Sequence, residues 1–294
     1  MRCQAVRNRV ILQNLAREYQ QLYLRPEPGK SQTEVYKKIV KKGMEAEKKD
    51  LSHFIGSPED SVAIVHTPEG DVTVVTLAER KDFETFLQIM LYHCEPEPIL
   101  PSVGAMTLNG LVNWAKIRRH KEAFLKEHLL WAWGEEFKAF TSRPENSRDT
   151  MIVLTRGPYS NLPAEEAGFA PEAWMDISQT IRTYHECTHV ICRRRYPGKI
   201  DVLKDEIIAD CIGLLAALGR YDVPLAGKFL GVTPEGYIGG RLAHYLDGHQ
   251  GSPASLQQLG ADIYHSMERM AELVQQSFHG DAYEMIDILV NSDK

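Results

Sequence analysis

The sequence predicts an α+β protein that is predominantly helical, with a small β-sheet and a helical C-terminal half. Residues 171–195 and 201–219 are long runs with helical spacing of apolar residues and stop signals at their ends. Residues 61–77 are rich in β-branched residues around a turn that contains Gly70, which is typical of a β-hairpin. Residues 253–278 and 281–290 again predict helices, and together these segments place most of the chain in helical structure.

The N-terminal third predicts a separate α/β region. Residues 1–55 favour helices that are interrupted by a Pro-Glu-Pro-Gly sequence, and residues 82–93 favour a further helix after the hairpin. A proline-rich stretch at 95–101 then marks the predicted domain boundary. We therefore expect one domain over residues 1–100 and a second over residues 101–294.

The start of the second predicted domain leads up to the most informative helix. Residues 106–140 favour helical structure, and residues 151–155 favour a strand. Residues 156–170 contain two prolines and two glycines, so we expect a loop that could border a cleft. The side chains expected in the core of the helical stretch are Trp114, Phe124, Leu129 and Leu130.

One stripe of the helix predicted at 171–195 is apolar and continues into two histidines. Its members follow at spacings of four, four, four and three residues: Ile177, Ile181, His185, His189 and Cys192. The imidazoles are thereby expected on the core-facing side, where burying them without partners costs free energy. A bound metal ion would give both rings a partner.

His185, Glu186 and His189 form an H-E-x-x-H sequence. Histidines four apart lie one turn above each other, about 5–6 Å apart at Cβ, so both rings can reach one zinc ion. The glutamate is rotated about 100° from the first histidine, so its carboxylate can accept a proton beside the metal. The alternative is a helix whose histidines merely cap it or face solvent.

The helix predicted at 201–219 has an N-cap aspartate, a terminal glycine and two carboxylates on one face. Glu206 and Asp210 are four residues apart and share that face with Gly213 and Ala217. The small residues allow close approach of a neighbouring helix. A metal held by the preceding helix is the expected positive partner of the carboxylates.

An H-E-x-x-H helix followed by a helix with E-x-x-x-D resembles the gluzincin branch of the zincin metallopeptidases, which have a thermolysin-like architecture. The resemblance covers about residues 171–219 and does not include the longer metzincin pattern. It implies one Zn²⁺ per chain and a zincin-like catalytic core within residues 101–294. It also implies an edge strand at 151–155 that pairs with substrate backbone, with a purely structural strand as the alternative.

The resemblance also implies a role for each matching residue. His185, His189 and Glu206 would bind the zinc ion, and Glu186 would act as general base. Asp210 would orient a zinc-bound histidine. No tyrosine or histidine matches the family's transition-state stabiliser by motif, so that role stays open.

A segment that starts at Thr233 offers candidates for the open role. Thr233 and the proline after it predict an N-cap and a first helical residue. On such a helix Tyr237, Arg241 and His244 share one face, which could stabilise an oxyanion or bind a substrate carboxylate. The alternative is an ordinary solvated helix face.

The composition excludes several classes of function. A net charge of −6 and a pI near 6.0 argue against binding to nucleic acid. No window is apolar enough to span a membrane, and the N-terminus lacks the apolar core of a signal peptide. The five cysteines include no C-x-x-C pair, so we expect reduced thiols in a cytoplasmic protein, with Cys192 as a minor candidate for a soft ligand.

These observations favour a zinc-dependent hydrolase, either a metallopeptidase or an amidase, that acts on a peptide or a small amide. They leave its protein partners open. A carboxylate-bridged di-iron oxidase built on Glu186, His189 and Glu206 is an alternative, but it needs a second E-x-x-H unit. The nearest substitute is the sequence from Asp262 to His265. A zincin scaffold that binds a partner without catalysis is a third hypothesis, which the intact glutamate of the motif disfavours.

Overall fold

A computed structural model describes residues 9–101, 103–245 and 253–292, with the side chains of residues 253 and 254 left aside. The predicted fold class is confirmed: helices predominate, and they accompany one small mixed sheet. Within the described part of the chain, every helix is too short or too polar to cross a membrane. Cys3 lies outside the described residues.

The chain divides into two compact units. The first contains the described part of residues 1–64 together with 73–155, and the second contains 65–72 with the described part of 156–294. The predicted boundary lies at residue 100, whereas residues 101–155 belong with the first unit. They do so because they supply two strands of its sheet.

One sheet has four strands in the order β1-β2-β4-β3, and most of its residues belong to the first unit. The strands are β1 (Ser61–Thr67), β2 (Gly70–Leu77), β3 (Ala105–Val112) and β4 (Arg148–Thr155). The first two strands confirm the predicted hairpin. Strand β4 runs parallel to β2 and antiparallel to β3, so hydrogen bonds occupy both of its edges. The expectation that residues 151–155 form an edge strand able to pair with substrate is therefore wrong. The strand has a structural role.

Two helices pack their apolar faces in the core of the first unit, α1 (Val10–Glu18) and α2 (Arg80–Met90). Their fully buried side chains meet those of β2 and β4. The cluster includes Leu12, Leu15, Leu22, Val75, Leu77, Phe83, Phe86, Leu87, Met151 and Val153.

Residues 105–112 form a strand, whereas helical structure was predicted from residue 106 onward. The helix α3 (Trp114–Phe124) begins only after Asn113, whose side chain accepts a hydrogen bond from the backbone N–H of Lys116. The pairing of β3 with β4 outweighs the local helical preference. A second helix follows as α4 (Trp133–Thr141).

Two of the expected core residues in this region lie at the surface. Leu129 is 69% exposed and Leu130 is 67% exposed, because the chain turns between α3 and α4 at this point. Trp114 and Phe124 are half-buried. An apolar side chain in an inter-helix turn need not face the core.

The second unit is built around two consecutive helices, α5 (Pro171–Arg195) and α6 (Val202–Leu218), as predicted. Asp201 caps α6 by accepting a hydrogen bond from the backbone N–H of Lys204, and Gly219 ends it with φ +69°. The remaining helices are α7 (Val223–Leu230), α8 (Pro253–Ser277) and α9 (Met285–Val290). Shorter helical turns of the described chain lie at Gln20–Tyr23, Lys30–Gln32, Glu34–Tyr36, Lys37–Lys41, Leu130–Ala132, Pro144–Ser147, Tyr159–Asn161, Ala164–Ala167, Arg241–Tyr245 and Ala282–Glu284.

Gly213 sets the close approach of α5 and α6, as its small size predicted. A Cβ at this position would lie 2.8 Å from the carbonyl oxygen of Ile181 and 2.9 Å from its Cγ2. Ile181 itself is fully buried one turn before the first histidine of the motif. Because the helices approach so closely, side chains of α6 reach the histidines of α5.

The segment that starts at Thr233 is part of a hairpin, so the prediction of a helix there is wrong. Strands β5 (Val232–Thr233) and β6 (Gly236–Tyr237) pair antiparallel. Gly236 has φ +128°, which a helix does not permit. Residues 241–245 then form a single 3₁₀ turn.

Candidate metal centre

Three side chains from α5 and α6 converge on one point. The Nε2 atoms of His185 and His189 are 3.0 Å apart. One carboxylate oxygen of Glu206 is 3.5 Å from Nε2 of His185, and the other is 3.5 Å from Nε2 of His189. Among the described residues this is the only group of three or more His, Cys, Asp or Glu side chains whose ligand atoms converge. The three residues predicted as ligands are thus brought together.

Each histidine is held by a carboxylate on its other ring nitrogen. Nδ1 of His185 lies 2.9 Å from Oδ1 of Asp210, and Nδ1 of His189 lies 2.7 Å from Oδ2 of Asp205. A carboxylate accepts a hydrogen bond from Nδ1–H, so each Nδ1 carries a proton. The Nε2 atoms therefore both face the point of convergence, as they do in metal sites.

The electrostatics of this point favour a positive charge. Burial alone would lower the pKa of His185, but hydrogen bonds to Asp210 and Glu206 outweigh it and raise the pKa to about 9. Burial alone would raise the pKa of Glu206, but the two histidines and Arg241 lower it to about 2. The carboxylate therefore stays ionised, and its negative charge faces the two ring nitrogens.

The donor set fits a zinc ion. Catalytic zinc sites commonly use three protein ligands, and a His₂Glu set is one of the established combinations. Ligand atoms bound tetrahedrally at about 2.0–2.1 Å lie about 3.3 Å from one another. The observed separations of 3.0, 3.5 and 3.5 Å bracket this value. His185, His189 and Glu206 could therefore hold the metal without a change of backbone.

Glu186 lies on α5 between the two histidines and is half-buried. It is the residue that sequence analysis predicted as general base. Its neighbours Cys187 and Thr188 are fully buried and fix this turn of the helix. Thr188 also donates a hydrogen bond to the carbonyl oxygen of Tyr184.

The 3₁₀ turn Arg241–Tyr245 contributes two side chains to the centre. The guanidinium of Arg241 pairs with the fully buried carboxylate of Asp210 and lies 3.2 Å from the hydroxyl of Tyr159. Tyr245 donates a hydrogen bond of 2.8 Å to Oε2 of Glu206. Burial and the nearby carboxylate of Glu206 raise the pKa of Tyr245 despite Arg241, so its hydroxyl stays protonated.

The other two side chains predicted on this segment lie elsewhere. The hydroxyl of Tyr237 accepts a hydrogen bond of 2.9 Å from the backbone N–H of Gly240. His244 is exposed. Within the described residues, no hydrogen bond joins either side chain to the metal centre. The predicted common face of Tyr237, Arg241 and His244 required a helix, and the hairpin separates them.

Three side chains of the centre are not among the residues predicted from the sequence: Asp205, Tyr159 and Tyr245. Asp205 immediately precedes Glu206 on α6, and this adjacency was the available signal. Tyr159 donates a hydrogen bond of 2.6 Å to Asp210 and lies 2.8 Å from Nδ1 of His185. Tyr245 follows Arg241 by four residues.

The loop before α5 holds Tyr159 in place. Its backbone N–H donates to Oγ of Ser178 at 2.9 Å. Arg182 donates to the carbonyl oxygens of Gly157 and Pro158, each at 3.1 Å. The left-handed backbone of Ser160, with φ +54°, turns the chain directly after it. The loop thereby inserts a buried phenol beside the histidines.

Two weaker ligand candidates do not join the centre. Cys192 is buried, and its thiol interacts with Asp205. On α8, His265 pairs with Glu268 at 2.9 Å, and both side chains are about half exposed. The described residues thus provide no second metal-binding group of the kind that a di-iron site requires.

Comparison with known families gives one match. A family of unknown function, DUF7005, matches residues 3–291. The chain therefore belongs to that family. No curated protein and no solved structure gives a match.

Proposed function

We propose that this member of the DUF7005 family is a zinc-dependent hydrolase, a metallopeptidase or an amidase of the gluzincin type. The proposal rests above all on one observation. Two Nε2 atoms and one carboxylate converge at separations of 3.0–3.5 Å, while both Nδ1 atoms are held by carboxylates. This arrangement supports one Zn²⁺ bound by His185, His189 and Glu206.

Zinc held by these residues would act as a Lewis acid on a substrate carbonyl and would make water acidic enough to lose a proton near neutrality. Glu186 is the group proposed to accept that proton and to deliver it to the leaving amine. Asp205 and Asp210 keep the Nδ1 protons in place throughout. The histidines then offer the same lone pairs at every stage of the reaction.

Tyr245 is the proposed hydrogen-bond donor to the oxyanion that develops on the substrate. Its hydroxyl lies 2.8 Å from Oε2 of Glu206, so it directly contacts one of the three proposed ligands. Donors placed where negative charge develops supply a large part of the rate in acyl transfer. Arg241 is proposed as a positioning residue, because it contacts Asp210 and Tyr159 rather than the point of convergence.

A reducing compartment such as the cytoplasm suits the thiols. The four cysteines within the described residues are buried and free: Cys94, Cys187, Cys192 and Cys211. The proposed substrates remain peptides or small amides, and the charge of −6 gives no support for nucleic acid as a substrate.

Metal content of untagged protein, measured by mass spectrometry, tests the centre. We expect one zinc per parent chain. Glu206→Ala should lower zinc affinity by more than about 100-fold, which is more than the loss expected when a carboxylate that only orients a ligand is removed. Glu235→Ala, which removes an exposed carboxylate of the same unit, is the matched control and should bind zinc like the parent. A parent chain that cannot be loaded with zinc would end the proposal.

Turnover of peptide and amide libraries tests the chemistry. Glu186→Gln should retain zinc and lose hydrolysis, because an amide cannot accept the proton. If the parent binds zinc but neither it nor Glu186→Gln hydrolyses any member, the hydrolase proposal fails while the metal centre stands. The scaffold then binds zinc without catalysis.

A further inference from the structure

A cavity in the first unit lies outside the metal centre. It has a volume of about 380 Å³ and is open to solvent. The lining side chains are Arg9, Gln13, Arg17, Tyr23, Lys49 and Leu51. Three of them are cations, and none is a carboxylate.

Three of these side chains form a stripe along α1. Arg9 directly precedes the helix, and Gln13 and Arg17 follow at intervals of four residues. Side chains four apart lie on one face, about 5–6 Å apart at Cβ. Leu15 on the opposite face of α1 is buried, as are Leu12 and Ala16 between the two faces. The helix therefore directs two guanidinium groups, with an amide between them, away from the core.

The positive charge of the cavity is poorly neutralised. Within the described residues, the only carboxylate in ion-pair distance of these three cations is Glu45, which is 3.9 Å from Lys49 at the surface. Arg9 uses its Nε–H to donate to the carbonyl oxygen of Ile55 at 3.2 Å. This bond anchors the guanidinium and leaves its terminal nitrogens for another acceptor. Three cations around one small cavity repel one another, in a chain whose net charge is −6.

We propose that this cavity binds a phosphate group, as a small phosphate monoester or as free phosphate. Arginine matches the geometry of phosphate oxygens with paired N–H donors. Gln13 and Tyr23 add neutral donors, and the buried Leu51 adds an apolar contact. The volume is at the lower end for small-ligand sites, which suits a metabolite rather than a polymer.

Isothermal titration of the full chain with inorganic phosphate and with phenyl phosphate, at constant ionic strength, tests the proposal. We expect saturable binding that Arg17→Gln weakens about tenfold or more, because each charge-assisted pair of hydrogen bonds is worth at least that factor. Tighter binding of phenyl phosphate would identify a monoester as the ligand, and equal binding would identify free phosphate.

Arg25→Gln is the matched control, since Arg25 is an exposed arginine of the same unit outside the cavity. It should bind both probes like the parent. If Arg25→Gln weakened phosphate binding as much as Arg17→Gln, the attraction would come from the overall positive charge of the surface, and the proposal would be overturned. A titration without saturable heat of binding would overturn it as well. Lys49→Gln gives an independent test that leaves the contact between Arg9 and Ile55 intact. Arg17 and Lys49 lie outside the metal centre, so weaker binding on their substitution is separate from the result for that centre.

Discussion

The Nε2 atoms of His185 and His189 face each other at 3.0 Å, although the Nδ1 atom of each ring is engaged by a carboxylate. If both rings were neutral with Nδ1 protonated, the lone pairs of their two Nε2 atoms would point at each other and repel. A cation between them removes the conflict, and Glu206 adds a negative charge at the same place. A proton can supply that cation in metal-free protein, and zinc can supply it with better geometry for all three donors.

Asp205→Asn should weaken zinc binding about 10- to 100-fold, because the amide no longer fixes the Nδ1 proton of His189. Competition with a chelator gives the affinity. Asp262→Asn changes an exposed carboxylate on α8 and should leave the affinity unchanged. Equal affinity of Asp205→Asn and the parent would remove Asp205 from the centre.

Tyr245→Phe should lower kcat about 100-fold because the proposed donor to the oxyanion is lost. It also removes the hydrogen bond to Glu206, but the three candidate ligands remain, so zinc content should stay close to the parental level. Tyr237→Phe distinguishes the two tyrosines near this segment. Its hydroxyl bonds to the backbone of Gly240, so the rate should be retained. The reverse pattern would assign the donor role to Tyr237, as sequence analysis allowed.

The positions of the three candidate ligands could be predicted from helical periodicity, whereas the choice of Glu206 as the third came from the resemblance to gluzincins. His185 and His189 continue an apolar stripe, and Glu206 sits on a helix with clear ends, so local rules place all three. Tyr159 could not be predicted this way, because its position depends on a loop that Ser178 and Arg182 hold.

The strand β3 shows the same limit in the first unit. Its residues favour a helix locally, and only pairing with β4 makes them extended. Tyr245 depends on the hairpin before it in a similar way. Glycines with positive φ mark that hairpin, such as Gly236, and they were the available warning against a helix.

Gly213→Ala should destabilise the protein by about 1–3 kcal/mol, because the added methyl group meets the backbone of Ile181 at 2.8 Å. Zinc affinity should fall as well, since α5 and α6 must separate. Chemical denaturation and chelator competition measure the two effects.

Gly134→Ala is the control for that change. Gly134 also lies in a helix, but a Cβ there meets nothing within 4 Å. It should stabilise the protein by about 0.4–1 kcal/mol, because alanine lowers the conformational entropy of the unfolded chain. Equal effects of both substitutions would show that helix spacing is not set at Gly213.

Asp149→Asn should reduce the free energy of unfolding by about 2 kcal/mol at neutral pH and by much less in acid. Burial alone would raise the pKa of Asp149, but hydrogen bonds from Lys116, Tyr19 and Asn113 lower it below its ordinary value. A lowered folded pKa gives stability that is present above the unfolded pKa, about 3.9, and lost as the pH falls through the folded pKa.

Denaturation of the parent and Asp149→Asn across this pH range measures the difference. Asp176→Asn is the control, because its side chain is 81% exposed and its pairing with Arg156 at 3.6 Å is a surface contact. Its effect should be small at every pH. A penalty for Asp149→Asn that does not shrink in acid would show that the ionised carboxylate is not what stabilises the first unit.

The contacts of the 3₁₀ turn provide a way to recognise such centres in other sequences. Arg241 and Tyr245 are four residues apart, and they contact Asp210 and Glu206, which are also four apart. Fifteen residues separate His189 from Asp205, and thirty separate Asp210 from Arg241. An H-E-x-x-H sequence arises by chance far more often than the ordered set H-E-x-x-H, D-E-x-x-x-D and R-x-x-x-Y. A search for the three patterns together would therefore separate sequences with this arrangement from chance matches, which the pentapeptide alone does not do.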